Sequence, residues 1–340
     1  MGSQASKAID KTKDRKSRQP SRARSLASSS VSSTGRPKKN TATKTEDINM
    51  MIPKPTPSTS ATTKHKKGFN HMVIDQDDYK EIDRSQRQHY VLKSSRKANH
   101  WAPFKGKGVI LDIGTGHGDW AYEVASAYPN ARVIGLDVNP PSTPVTIQKN
   151  LIFKVQDIKE SWDIRDNSVD FLFQRDMNRV LLQVDWKHIL QQIYRVVRPG
   201  GVIELLEPDL SHQNTGPTIS RANEYYKIEC ERTGRDMSLS AHLTDLLSNV
   251  GFVRIEQKNM DIPVGEWPSD TGLKQLGFNN LELQRSQLRF FRSVYTQKND
   301  ISTESYDTAS KAILAEYEQF QGFTRWTCWI AYKPASDASP

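Results

Sequence analysis

The sequence predicts an α/β fold: a seven-stranded, mostly parallel sheet with helices on both faces, preceded by a basic tail. Two observations predict it. From about residue 71, short apolar runs alternate with segments of helical periodicity, the pattern of strand–helix–strand units. One stretch, "VILDIGTGHGDWAYEVASAYPNARVIGLDVNP" (109–140), joins two such runs through a glycine-rich turn. Ligands of such sheets bind at the carboxyl ends of the strands.

The elements follow in order. "DYKEIDRSQRQHYVLKSSR" (78–96) reads as an amphipathic helix and "GVILDIG" (108–114) as the first strand. "GDWAYEVASAYP" (118–129) is a helix whose apolar face is Trp120, Val124 and Ala127. "ARVIGLDV" (131–138) is the second strand, followed by a loop holding Pro140, Pro141 and Pro144. "LIFKVQDI" (151–158) and "SVDFLFQR" (168–175) read as strands three and four. A helix over 186–201 ends at Pro-Gly-Gly, and "VIELLEP" (202–208) is the fifth strand. A helix over 218–236 and another over 241–251 precede strand 252–260. Residues 271–320 read as a helical cap before the last strand, 325–333. The domain is expected over 71–335, with helical insertions at about 211–240 and 271–320.

Charge divides the chain. It holds 48 Lys+Arg and 39 Asp+Glu, a net of +9. Residues 1–70 carry 16 Lys/Arg and 4 Asp/Glu, or +12, which leaves −3 for residues 71–340. That tail is rich in Ser, Thr and Pro, with Phe69 its only aromatic, so it is expected to be disordered. Its basic runs suit a solvated tail, nuclear import, or a polyanion. Its first six residues, "MGSQAS", fit an N-myristoylation signal on Gly2, and an acyl chain beside a basic run would attach it to an anionic membrane. Specific nucleic-acid recognition by the −3 body is not expected. Cys230 and Cys328 lie far apart in sequence, no metal-ligand spacing is present, and no run suits a membrane span or a secretory signal. The chain reads as intracellular: cytoplasmic with membrane association through its tail, or nuclear.

The glycine turn narrows the ligand. Gly114, Gly116 and Gly118 give G-x-G-x-G, whereas a dinucleotide fingerprint needs G-x-G-x-x-G, a place here taken by Asp119. Dehydrogenase chemistry is therefore disfavoured. Asp112 precedes the turn, where an acid suits an ammonium group better than a pyrophosphate. Asp137, with Val138 beside it, ends the second strand and can accept both ribose hydroxyls. Asp157 and Ile158 follow the third strand, where an adenine amino group could be met; Asp157 could equally be a loop acid. Thr115 lies in the turn and Gln174 at the end of the fourth strand; these acids and the missing phosphate cradle together describe S-adenosylmethionine.

"VILDIGTGHGDWA…VIGLDVNP…VQDI…VDFLFQRDM…VVRPGGVIELLEP" resembles the class I, Rossmann-like methyltransferases, and within them the fungal LaeA-like group of methyltransferases and secondary-metabolism regulators. The resemblance runs from about 78 to 334. It takes in Asp83, Arg84, Gln88 and His89 of the first helix, "VGEWPSD…KQLGF" and the closing "AYKP". His117 departs from the group's usual threonine. The resemblance implies methyl transfer to a small-molecule or protein acceptor; the alternative is a regulatory protein acting through partners, with weak or no catalysis.

Positioning accounts for much of methyl transfer, so no dedicated catalytic set is required, although a hydroxyl acceptor is helped by a base. Asp176, Glu207, Asp209 and His212 are the candidates, each also readable as a loop or capping residue. Arg175 could hold a substrate carboxylate or pair with Asp176. Tyr225, Tyr226 and the apolar set Leu281, Leu283, Leu288, Phe290 and Phe291 belong to the core or to the acceptor site.

Overall fold

The structure, a computed structural model, describes residues 78–141, 148–299 and 301–335. Residues 1–70 with Gly2, the domain's first residues 71–77, and Pro144 lie outside the described residues.

Seven strands form one sheet: β1 (Gly108–Ile113), β2 (Ala131–Asp137), β3 (Leu151–Val155), β4 (Val169–Arg175), β5 (Val197–Gln213), β6 (Val253–Pro263) and β7 (Phe323–Tyr332). Their order is β3-β2-β1-β4-β5-β7-β6. β1 to β5 pair in parallel, and β7 runs antiparallel between β5 and β6. The helices among the described residues are α1 (Tyr79–Arg96), α2 (Asp119–Ala127), α3 (Asp185–Val196), α4 (Pro217–Thr233), α5 (Leu239–Val250), α6 (Thr271–Asn299) and α7 (Thr303–Gln319). No described helix is long and apolar enough to cross a membrane.

Alternating strand residues feed two cores. Leu111, Leu172, Ile203 and Trp329 pack with α3 and α5. Ile110, Phe171, Val202 and Ile330 pack on the opposite face with α1, α2 and α6. Strand order reverses between β1 and β4, the switch point where such sheets take ligands.

Several sequence expectations change at their edges. The third helix stops at Val196, because Arg198 precedes a proline and Gly200 sits at φ 72°. Val197-Arg198-Pro199-Gly200-Gly201 instead opens β5 as an irregularity, the pairing with β4 slipping between Val169 and Phe171. β5 also runs past residue 208 to Gln213, because β7 pairs with it as far as Phe323. Asp157 and Ile158 lie beyond the end of β3. On α2 the buried face is Trp120, Ala121, Val124 and Ala125, and Ala127 is exposed. The cap is two helices, the second started by Ser302, whose hydroxyl accepts the Ser305 amide.

Candidate functional site

The turn between β1 and α2 is shaped by its glycines. Gly114, Gly116 and Gly118 all have positive φ, at 66°, 57° and 80°. A Cβ on Gly114 would stand 2.4 Å from the Met177 sulfur, and one on Gly118 would stand 2.7 Å from Phe153. The turn is pinned to β2: the Thr115 amide donates to Leu136 O at 3.0 Å, and the Gly116 amide donates to Asp137 Oδ2 at 3.0 Å. Asp137 Oδ1 accepts the Asn139 amide. Trp120 stacks on Phe173 at 4.0 Å and 4°, fixing α2 against β4.

Asp112 lies beneath the turn, 3% exposed, and accepts the Thr115 hydroxyl at 2.6 Å. Burial pushes its carboxyl up to about 7, against the opposing pull of that hydroxyl and of Arg175. Val138 is exposed beside Asp137, and the Gln156 amide donates to Asp137 O, so β3's end lies alongside. Asp157 is exposed and accepts the Lys159 amide; Ile158 is buried. Gln174 pairs in register with Ile113. The structure thus brings Asp112, Gly114, Thr115, Gly116, Gly118, Asp137 and Gln174 together at adjoining strand ends.

The described residues fit a cofactor with a positively charged end. Gln174 Oε1 and Asn178 Oδ1 are buried acceptors with no partner, an arrangement that calls for a ligand's donors. The close approaches at Gly114 and Gly118 make a cradle that side chains would fill.

Over this cleft lies α1, which sequence reasoning marked only through the resemblance. Ser85 donates to Asp119 at 3.3 Å, and Gln88 donates to Asp176 Oδ2 at 2.8 Å. His89 Nδ1 accepts from Arg175 at 3.2 Å, while its Nε2 lies 3.3 Å from Glu123. Burial, with Arg175 beside it, lowers His89 to about 4. Asp83 pairs with Arg87 and Arg84 with Glu81 on their own helix, and Arg84 Nη1 also donates to Gln88 Oε1 at 3.3 Å.

The four candidate bases separate. Asp176, at φ 59°, is engaged by Gln88 and by Arg179 at 2.9 Å. Arg175 therefore does not pair with Asp176; it turns to His89. Glu207 is 2% exposed, accepts from Gln174 and from the Asn178 amide, and is pushed up to about 8 by burial. Its oxygens are thus engaged by the end of β4 and the turn after it, and it does not line the cavity described next. Nor does Asp209 line it. His212 does.

That cavity, of about 200 Å³, is walled by α4, α6 and α7 and floored by Arg179, Leu210 and His212. Tyr225 and Tyr226, readable from sequence as core or acceptor-site residues, both line it. The apolar set of α6 divides four ways. Leu283 enters the core and Phe290 lies under the Arg84 guanidinium at 5.7 Å, whereas Leu288 and Phe291 line the cavity. Leu281 packs beside Ile219, Val264 and Tyr317. Among the described residues no cluster suits a metal ion, and both cysteines are buried.

A glycine turn after β1, acids on β1 and β2, and a β5-β7-β6 edge define the class I methyltransferase architecture. A family profile described as "Methyltransferase domain" matches residues 110–201. "Methyltransferase pytC" of Aspergillus terreus is 35% identical over 184 residues, covering 52% of this chain and 56% of that protein. "Secondary metabolism regulator LAE1" of Cochliobolus heterostrophus is 31% identical over 214 residues, covering 59% and 68%. The protein of that name from Hypocrea atroviridis is 25% identical over 286 residues, covering 80% and 81%. The match spans little more than half the length of pytC. The chain belongs to the class I S-adenosylmethionine-dependent methyltransferases, in their LaeA-like group.

Proposed function

We propose that this protein transfers a methyl group from S-adenosylmethionine to an acceptor bound in the cap cavity. The carrying observation is the glycine turn, with buried Asp112 ahead of it and Asp137 tied to its Gly116 amide. In this reading Asp112, Gly114, Thr115, Gly116, Gly118 and Gln174 hold the amino-acid end of the cofactor. Asp137 holds the ribose beside Val138, and Asp157 and Ile158 meet the adenine. The bound cofactor supplies an activated methyl group on a positively charged sulfur. The chain's residues position and desolvate: α1 covers the cleft through Gln88 and His89, and the cap holds the acceptor, a small molecule or a protein side chain. Orientation of this kind supplies much of the acceleration.

Calorimetry on the full chain tests the cofactor. S-adenosylhomocysteine is expected to bind, NAD is not, and Asp137→Ala should abolish binding. Failure of the wild type to bind S-adenosylhomocysteine would overturn the reading. A second reading is favoured by the name its relatives carry, secondary metabolism regulator. Here the cofactor site persists, catalysis is weak or absent, and partners recruited by the tail carry the function. Cofactor binding without methyl transfer to any acceptor would favour it.

For residues 1–70 we infer a locating role. Acylation of Gly2 supplies one weak attachment and the basic run a second, together placing the protein at an anionic membrane of the cytoplasm. Nuclear import is the alternative address, and polyanion binding uses the same charges. Intact mass of protein made in a eukaryotic host, beside Gly2→Ala, decides the acyl part: an unacylated wild type removes it.

A further inference from the structure

The cap cavity is neutral and ring-lined. Arg179 is the one permanently charged side chain among its described lining residues, and Asp176 neutralises it at 2.9 Å. No carboxylate lines it, so a lysine ammonium entering would lose its water without gaining a counter-ion. Aromatic rings form the wall: Tyr295 lies 6.0 Å from Tyr225, 6.3 Å from Phe291 and 6.1 Å from Tyr306, centroid to centroid. Two of the hydroxyls are committed to the protein, Tyr225 to Asn299 Oδ1 and Tyr306 to Leu288 O. The wall therefore offers mainly ring surface.

At the floor one polar group is held in a fixed pose. Asn223 clamps the His212 backbone from both sides: its Oδ1 accepts the His212 amide at 3.1 Å and its Nδ2 donates to His212 O at 3.0 Å. The Tyr317 hydroxyl lies 2.8 Å from His212 Nδ1, with the rings edge-on at 5.6 Å. Nε2 is left to meet a ligand. Burial and the nearby Arg179 lower His212 to about 4, so the imidazole is neutral at physiological pH.

We infer that this cavity takes an uncharged, ring-bearing small molecule as methyl acceptor, with its hydroxyl hydrogen-bonded to His212 Nε2; the inference rests on the methyltransferase reading above. Tyr317 and Asn223 are positioning residues: the inference assigns His212 the tautomer whose Nδ1–H donates to the Tyr317 oxygen, which leaves the Nε2 lone pair facing the hydroxyl. With the cofactor bound, a lone pair of the acceptor oxygen would form the O–CH3 bond while the methyl's bond to sulfur broke with its electron pair left on sulfur, releasing the neutral thioether, and the hydroxyl proton would become strongly acidic. The O–H bond breaks with its electron pair left on oxygen, and the proton forms an N–H bond at Nε2. A weakly basic imidazole suffices for that transfer.

The test uses the full chain saturated with S-adenosylhomocysteine and three probes: 2-naphthol, naphthalene and a short lysine-bearing peptide. Wild type should prefer 2-naphthol over naphthalene by about three- to tenfold, the worth of one hydrogen bond, and the peptide should not compete. His212→Phe should bring that preference close to one while S-adenosylhomocysteine affinity stays unchanged. Tyr317→Phe should reduce it partway, and serves instead if the first variant fails to fold. With S-adenosylmethionine, radiolabel should reach 2-naphthol in wild type but not in His212→Phe. The inference is overturned if 2-naphthol does not bind, if its preference survives His212→Phe, or if the peptide displaces it. Loss of S-adenosylhomocysteine binding in wild type would overturn the methyltransferase reading itself.

Discussion

With Asp112 as the proposed partner of the cofactor's ammonium group, cofactor binding is expected to depend on pH across the neutral range. Its carboxyl is buried and pushed up to about 7, with the Thr115 hydroxyl and Arg175 as its counterweights. A ligand ammonium favours the ionised form. One proton at that value leaves about a tenth of the sites ionised at pH 6 and about nine tenths at pH 8. Affinity for S-adenosylhomocysteine should thus fall about tenfold from pH 8 to pH 6, or about 1.4 kcal/mol. Calorimetry at pH 6, 7 and 8, in buffers of low and high ionisation enthalpy, reads both the affinity and the proton released near pH 7. Asp112→Asn should flatten the profile, and Thr115→Val should move its midpoint upward by removing a donor to the ionised form. Flat wild-type affinity would refute the reasoning. A slope that survives in Asp112→Asn would move the proton to Glu207, itself pushed up to about 8. Stability carries the opposite sign. Because both folded values lie above the unfolded ones, their contribution is full below about pH 4 and is lost as pH rises through about 7 to 8. The ligand-free protein should therefore melt at lower temperature at pH 8 than at pH 6.

Two substitutions test the frame that holds the site. Gly118→Ala places a Cβ 2.7 Å from Phe153 and 3.0 Å from Tyr122 at φ 80°. The left-handed backbone costs about 1–2 kcal/mol and the overpacking about 1–3 kcal/mol. Urea denaturation should show the sum, Phe153→Leu in the same background should recover only the packing part, and a loss under about 1 kcal/mol would contradict the geometry. Glu204→Ala strands Arg96, whose side chain is 2% exposed, and also leaves the Trp101 and Ala102 amides, held at 2.7 and 2.6 Å, without their acceptor. About 3–5 kcal/mol should be lost, with Glu204→Gln milder because its amide oxygen still accepts. Equal losses in the two variants would mean that the charge contributes nothing.

What the sequence revealed, and what it hid, follows from the range of the forces. The glycine turn and the acids at 112 and 137 were legible because a strand, a positive-φ turn and a second strand are fixed within about thirty residues. The same holds for the buried strands, whose apolar runs need no distant partner to be recognised. Strand ends were not local: β5 continues to Gln213 only because Phe323 pairs with it, 110 residues later. The cavity is less local still. His212 is held by Tyr317 at a separation of 105, and Gln88 reaches Asp176 across 88. No periodicity encodes such contacts, so His212, Asp176, Glu207 and Asp209 looked alike in sequence. Burial and hydrogen bonding are what distinguish them.

Asp176 shows why the two halves of the site cannot be treated apart. Its Oδ2 holds α1 over the cofactor cleft through Gln88, and its Oδ1 neutralises Arg179 in the cavity floor. It does both from a left-handed backbone at the end of β4, a conformation that aspartate tolerates better than most residues. Asp176→Asn keeps the shape but leaves Arg179 without its counter-charge. An anionic ligand within about 4 Å of that guanidinium would gain up to about 4 kcal/mol before screening. The cavity's preference should consequently shift from 2-naphthol toward 2-naphthalenesulfonate by at least about tenfold, measured as the ratio of dissociation constants at low salt, and the shift should shrink at 0.5 M salt, well above the ionic strength where the Debye length is about 10 Å. An unchanged ratio would mean that Asp176 does not set the charge of the cavity, and the case for an uncharged acceptor would lose its electrostatic half.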